Sequence, residues 1–153
     1  MYYRKKMIEI NNLTNNPVDE KFLKKVAKIV LKKEKKEKLY LSIAFVNKKR
    51  IRELNKKYRK KDRSTDVLSF TYNKGGETVI CPQEVKKNAK KFNSTFKKEL
   101  ARVLIHGILH LLGYNHEKLV GEAKPRTRIN SVRGKKMEEK ENYYLNLCQN
   151  LKS

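Results

Sequence analysis

Long apolar runs are missing from this 153-residue chain. No segment approaches the roughly 20 apolar residues that cross a bilayer. The opening "MYYRKKMIEI" carries charge with no apolar stretch of signal-peptide length behind it. The expectation is a cytoplasmic protein without a membrane partner. Cysteine is scarce as well. Cys81 and Cys148 lie far apart and without a C-x-x-C spacing, which argues against a disulfide framework, a disulfide-linked partner or a cysteine zinc site. Acidic residues are few: 16 Asp and Glu stand against 39 Lys and Arg, a formal net charge of +23. Such a surplus favours polyanions, nucleic acid or an anionic membrane surface, although a generally lysine-rich composition would produce it too. There is no internal repeat, and the length suits one domain, residues 1–153, with one core.

What is present reads as alternating strand and helix patterns. "MIEINN" alternates as a first strand would, and "NNPVDEKFLKKVAKIVLKKEKKEK" then takes helical period. Asn16 is the expected cap, Pro17 the first helical residue, and Val18, Phe22, Val26, Ile29 and Val30 the apolar stripe. "LYLSIAFV" is a second strand with Leu39, Leu41, Ile43 and Phe45 on one face. A short helix follows, capped by Asn47 and carrying Ile51, Leu54 and Tyr58. "DVLSFTY" and "ETVICPQEV" read as a hairpin about "NKGG", whose glycines permit a positive φ. From Ser94 or Thr95 a well-patterned helix runs with Phe96, Leu100, Leu104, Gly107 and Leu111 on one side. Residues 117–136 read as a flexible basic loop. A last helix carries Met137, Tyr144, Leu145, Cys148 and Leu151.

Histidine is the third scarcity, and its distribution is informative. The chain has three, all inside "HGILHLLGYNH". Residues four apart on a helix stand on one face about 6 Å apart along the axis, so His106 and His110 can turn their rings to a single ion. A continuing helix would carry His116 roughly 9 Å further along. The helix must therefore stop, and Gly113 is placed to stop it in a left-handed C-terminal turn. Three histidine nitrogens with a fourth position left for water make a catalytic zinc site, one Zn²⁺ per chain. The spacing is shared with zinc proteases of the metzincin type. Three unrelated histidines, or a closed structural zinc with Cys81 as fourth ligand, are the other readings of the same pattern.

The motifs "HGILHLLGYNH" and "YRKKDRSTDVLSF", with "VICPQEV" and "ELARVLIHG" in the same order, resemble the YbeY endoribonucleases, the bacterial 16S rRNA maturation factors, over nearly the whole chain. The resemblance implies an α+β fold, a small mixed four-stranded sheet packed with helices, with a zincin-like metal site on a helix and its following turn. It further implies zinc held by His106, His110 and His116, and cutting of single-stranded RNA. The partners would be rRNA and the small ribosomal subunit, in 16S rRNA 3′ end maturation and ribosome quality control. The family's functional arginine falls on Arg59, the expected catalytic residue. Two departures stand out. Asn115 replaces the usual aspartate before the last histidine, and the 117–136 stretch is longer and more basic than the family's connection.

In the metzincin pattern the residue after the first histidine is the glutamate that takes a proton from the zinc-bound water. Here it is Gly107, which argues against a protease of that kind. Arg59 can grip phosphate oxygens in a bidentate way. Thr65, Asp66 and Ser69 are weaker candidates for the cleft wall, and Glu99, two turns before His106, is a candidate for support behind the metal. Two alternatives come from other classes. One is a metallohydrolase acting on another substrate such as a peptide; the other is a non-catalytic ribosome-associated RNA-binding protein with structural zinc.

Overall fold

The computed structural model describes residues 7–114 and 128–151, with no side-chain description for 128–135. The chain order is β1 (Ile8–Asn12), α1 (Glu20–Lys33), β2 (Tyr40–Phe45), α2 (Lys48–Arg59), β3 (Val67–Tyr72), β4 (Gly75–Ile80), α3 (Pro82–Lys91), α4 (Phe96–Leu111) and α5 (Arg128–Cys148). The strands form one mixed sheet in the order β1-β2-β4-β3, parallel except for the β3–β4 hairpin. The expected α+β architecture with a mixed four-stranded sheet is therefore observed.

Strand alternation sorts the two faces. Leu41, Ile43 and Phe45 of β2 are fully buried in the main core, with Leu23, Val26, Ala27 and Val30 of α1 and Leu104, Ile105, Ile108 and Leu109 of α4. The other face meets α2 in a smaller cluster of Val46, Ile51, Leu68, Val79 and Cys81. Helix α4 lies at the centre, packed on β3, β4, α1, α3 and α5. Its enclosure explains why so many of its residues are apolar and why its remaining open face is narrow.

Four local expectations are corrected. The cap of α1 is Asp19, whose carboxylate accepts from the Phe22 amide at 3.1 Å; Asn16 and Pro17 precede the helix. Residues 82–85 of "ETVICPQEV" do not continue the strand. Pro82 occupies the first turn of α3, where its missing N–H is harmless, and Val85 and Ala89, four apart, bury the helix. The positive φ of the hairpin belongs to Lys74 at 68° rather than to a glycine. Gly75 and Gly76 lie in β4, where an added Cβ would stand 2.4 Å from the Tyr40 carbonyl oxygen and 2.7 Å from Leu111 Cδ2. The basic loop expected over 117–136 ends earlier, because α5 already begins at Arg128. Helix propagation adds a hydrogen bond per residue once a turn exists, so a segment of weak periodicity can extend a well-packed helix. Residues 117–127 of that loop lie outside the described residues.

A polar knot ties three helices beside the exit of α4. Glu34, the C-terminal cap of α1, is held by Lys140 Nζ of α5 at 2.8 and 3.0 Å and receives Tyr114 and Tyr144 as further donors. Burial by itself would raise the Glu34 pKa. The hydrogen bonds from Lys140, Tyr114 and Tyr144 and the Lys140 charge together outweigh it and hold the carboxyl below its usual value. Tyr144 is pushed up to about 12, first by burial and then by Glu34. A depressed folded pKa means stability that is present above the unfolded value of ~4.3 and is lost as pH falls through the folded one. Glu34→Gln should therefore cost about 1–3 kcal/mol at neutral pH. It should also flatten the acid side of a stability-against-pH curve from urea titrations; an unchanged acid limb would remove Glu34 from the knot.

Candidate metal centre

Helix α4 starts at the Thr95 cap, whose side chain accepts from the Lys98 amide at 3.1 Å. It ends in a Schellman turn. The Gly113 amide donates to the His110 carbonyl at 3.1 Å, the Tyr114 amide donates to the Leu109 carbonyl at 3.0 Å, and Gly113 takes φ +95°. The stop expected from the sequence is thus made at the expected glycine. The chain leaves the helix axis two residues before His116.

His106 and His110 are half-buried on the open face of α4, and their Nε2 atoms approach to 3.0 Å. Two nitrogens bound at ~2.0–2.1 Å to one tetrahedral ion lie about 3.3 Å apart, so the pair is aimed as two donors of one site would be. Nδ1 of His106 lies 3.0 Å from Glu141 Oε2 of α5. A carboxylate behind the distal ring nitrogen is the usual support of a metal-ligating histidine. Among the described residues, no group of three or more His, Cys, Asp or Glu side chains could hold a metal ion. His116, the third ligand expected from the sequence, and Asn115 lie outside the described residues.

Gly107 is explained by packing. A Cβ there would stand 2.6 Å from Thr78 Cγ2 and 3.2 Å from both Thr78 Oγ1 and Ser69 Oγ. Ser69 also donates to the Gly107 carbonyl at 3.0 Å. The residue after the first histidine therefore faces the sheet, and a glutamate in its place could not reach the metal face from this register. Ser69 is thereby a helix-to-sheet tie rather than a cleft-wall group. Asp66 receives Asn88 at 3.3 Å and Thr65 at 3.4 Å, which closes the loop before β3 onto α3.

Glu99 is buried and paired bidentately with Arg102, whose Nη1 in turn reaches Glu141 Oε1 at 3.5 Å. It is connected to His106 through Arg102 and Glu141. Arg102 and Glu141 were missed by sequence reasoning. Their signal was present: Arg102 is one turn before His106, and Glu141 interrupts the apolar stripe of α5 between Met137 and Tyr144. Arg59 is the exposed last residue of α2, and the geometry alone does not tie it to the histidines. Cys81 is fully enclosed by the smaller core cluster, and burial raises its thiol pKa. Both conditions oppose a role as zinc thiolate.

A mixed sheet crossed by a helix that carries a carboxylate-backed histidine pair, in a strongly basic chain, defines a small α+β protein with a candidate metal face. The family model described as Endoribonuclease YbeY matches residues 8–147. The chain belongs to the YbeY family of endoribonucleases. The endoribonuclease YbeY of Thermodesulfovibrio yellowstonii is 43% identical over 114 residues, 69% of this chain and 70% of that protein. That of a Sulfurihydrogenibium species is 37% identical over 130 residues, 79% of this chain and 86% of its own. A solution structure of a Thermotoga maritima protein is similar with a TM-score of 0.61 at 36% identity, covering 92% of this chain and 88% of that one.

Proposed function

We propose that this chain is a zinc-dependent endoribonuclease that cuts single-stranded RNA, acting in the cytoplasm on rRNA of the small ribosomal subunit in 16S rRNA 3′ end maturation and ribosome quality control. The observation that carries the reading is the approach of the His106 and His110 Nε2 atoms to 3.0 Å on α4 of a YbeY-family chain. His106, His110 and His116 would hold one Zn²⁺. Bound there, zinc would supply Lewis-acid chemistry and activation of water at neutral pH, a role for which the chain offers no carboxylate at position 107. The net charge of +23 favours the polyanion. Among the described residues no helix is long and apolar enough to cross a membrane.

Arg59 is assigned to the phosphate. Its guanidinium can bind two non-bridging oxygens at once and stabilise the charge that grows on them during attack. Arg59→Ala should leave zinc content intact and lower the single-turnover cleavage rate of single-stranded RNA by about 10²–10³, more than it lowers RNA affinity. Arg59→Lys should rescue poorly, because the charge remains but the planar fork is gone. Lys60→Ala, beside it, should shift only binding. Equal damage from Lys60→Ala, or wild-type cleavage by Arg59→Ala, would return Arg59 to the general basic surface. Cleavage that survives complete zinc removal by chelator would refute the zinc reading itself.

A further inference from the structure

The geometry points to Glu141 and Arg102 as positioning residues that fix the His106 ring with Nε2, not Nδ1, turned to the metal. This deepens the zinc reading above and rests on it only for the metal-affinity part of the test. A neutral imidazole carries one N–H, and an ionised carboxylate accepts but cannot donate. Glu141 Oε2 at 3.0 Å from Nδ1 therefore calls for the proton on Nδ1, which leaves the Nε2 lone pair facing His110 Nε2 at 3.0 Å. Without that acceptor the ring could exchange tautomers or flip.

The carboxylate is itself fixed. Its second oxygen faces Arg102 Nη1 at 3.5 Å, and Arg102 is anchored through Nε and Nη2 to both oxygens of buried Glu99. Glu99, Arg102 and His106 follow one another at spacings of three and four, so these residues lie along one stripe of α4, which Glu141 joins from α5. The register of α5 is set one turn to either side of Glu141, by fully buried Met137 and buried Tyr144. Docking of α5, which follows the segment containing His116, is thereby coupled to the aim of His106 on α4.

The test uses the full chain. Zinc affinity is measured by competition with a chromophoric chelator, and the His106 tautomer is read from ring ¹⁵N shifts of metal-stripped protein. Glu141→Ala should weaken zinc binding about 10–100-fold and shift His106 from the Nδ1–H toward the Nε2–H tautomer. Glu141→Gln keeps an accepting oxygen, so it should retain the Nδ1–H tautomer and lose less affinity. Arg102→Met should lose up to roughly tenfold, and Glu139→Ala, exposed on the same helix, should change neither readout. Wild-type tautomer and affinity in Glu141→Ala would overturn the assignment, as would equal losses in Glu139→Ala. Should the alanine variant fail to fold, unchanged zinc affinity in both Glu141→Gln and Arg102→Met would overturn it. If the wild-type protein binds no zinc, the metal reading fails, while the tautomer comparison still decides the role of Glu141.

Discussion

Gly107→Glu should abolish folding rather than install a general base. The site faces Thr78, which is completely buried, and a Cβ already falls 2.6 Å from its methyl group. Beyond that first atom, glutamate would force a further methylene and a carboxylate between α4 and the sheet, against Thr78 and Ser69. Overpacking costs about 1–3 kcal/mol and an unpaired buried charge several more, against a total stability of ~5–15 kcal/mol for a domain. Gly107→Ala separates the terms. Its overpacking is offset in part by about 1 kcal/mol of improved helix propensity, so it should fold with a loss of no more than about 2 kcal/mol in urea unfolding. A folded Gly107→Glu protein of near wild-type stability would show that position 107 does not face the sheet. It would also reopen the peptide-hydrolase alternative.

The second large effect is expected from His110→Ala. His110 is half-buried at the end of α4, and its ring meets His106 edge-on with centroids 4.5 Å apart. Little apolar burial is lost on truncation, so the metal-free fold should keep most of its stability. Zinc binding, by contrast, would lose one donor of a convergent set, and cleavage of single-stranded RNA should fall by at least about 10³. Thermal unfolding separates the two effects. Added zinc should raise the wild-type Tm, since a ligand that binds only the folded state stabilises it by mass action, and should leave the variant's Tm nearly unchanged. An equal zinc-induced shift in His110→Ala would exclude this residue from the centre.

Much of the fold could be read because periodicity and burial agreed. β2 has every second residue buried at Leu41, Ile43 and Phe45; α2 starts at its expected cap, with the Asn47 side chain accepting from the Arg50 amide at 2.9 Å; and α4 ends at Gly113. The misreadings fall where local signals were ambiguous. Helix α3 offers only Val85 and Ala89 as an apolar face among lysines, too short a stripe to outweigh the strand-like "ETVIC" before it. The glycines of "NKGG" suggested a turn because glycine serves both positive φ and close approach, and only tertiary contacts with Tyr40 and Leu111 distinguish them. At the site, the histidine pair was evident from spacing alone, since i and i+4 share a helical face. Glu141 was marked only as a break in the apolar stripe of α5, and its partner could not be read because that depends on α5 crossing α4, a long-range fact.

The most direct measurement is X-ray absorption at the zinc edge on the loaded full-length protein, beside its His116→Ala variant. The account predicts about three nitrogen donors and one further oxygen near ~2.0–2.1 Å with no sulfur, and one fewer histidine donor in the variant. A sulfur shell near ~2.3 Å, four protein donors, or an identical nitrogen shell in His116→Ala would contradict an open three-histidine centre.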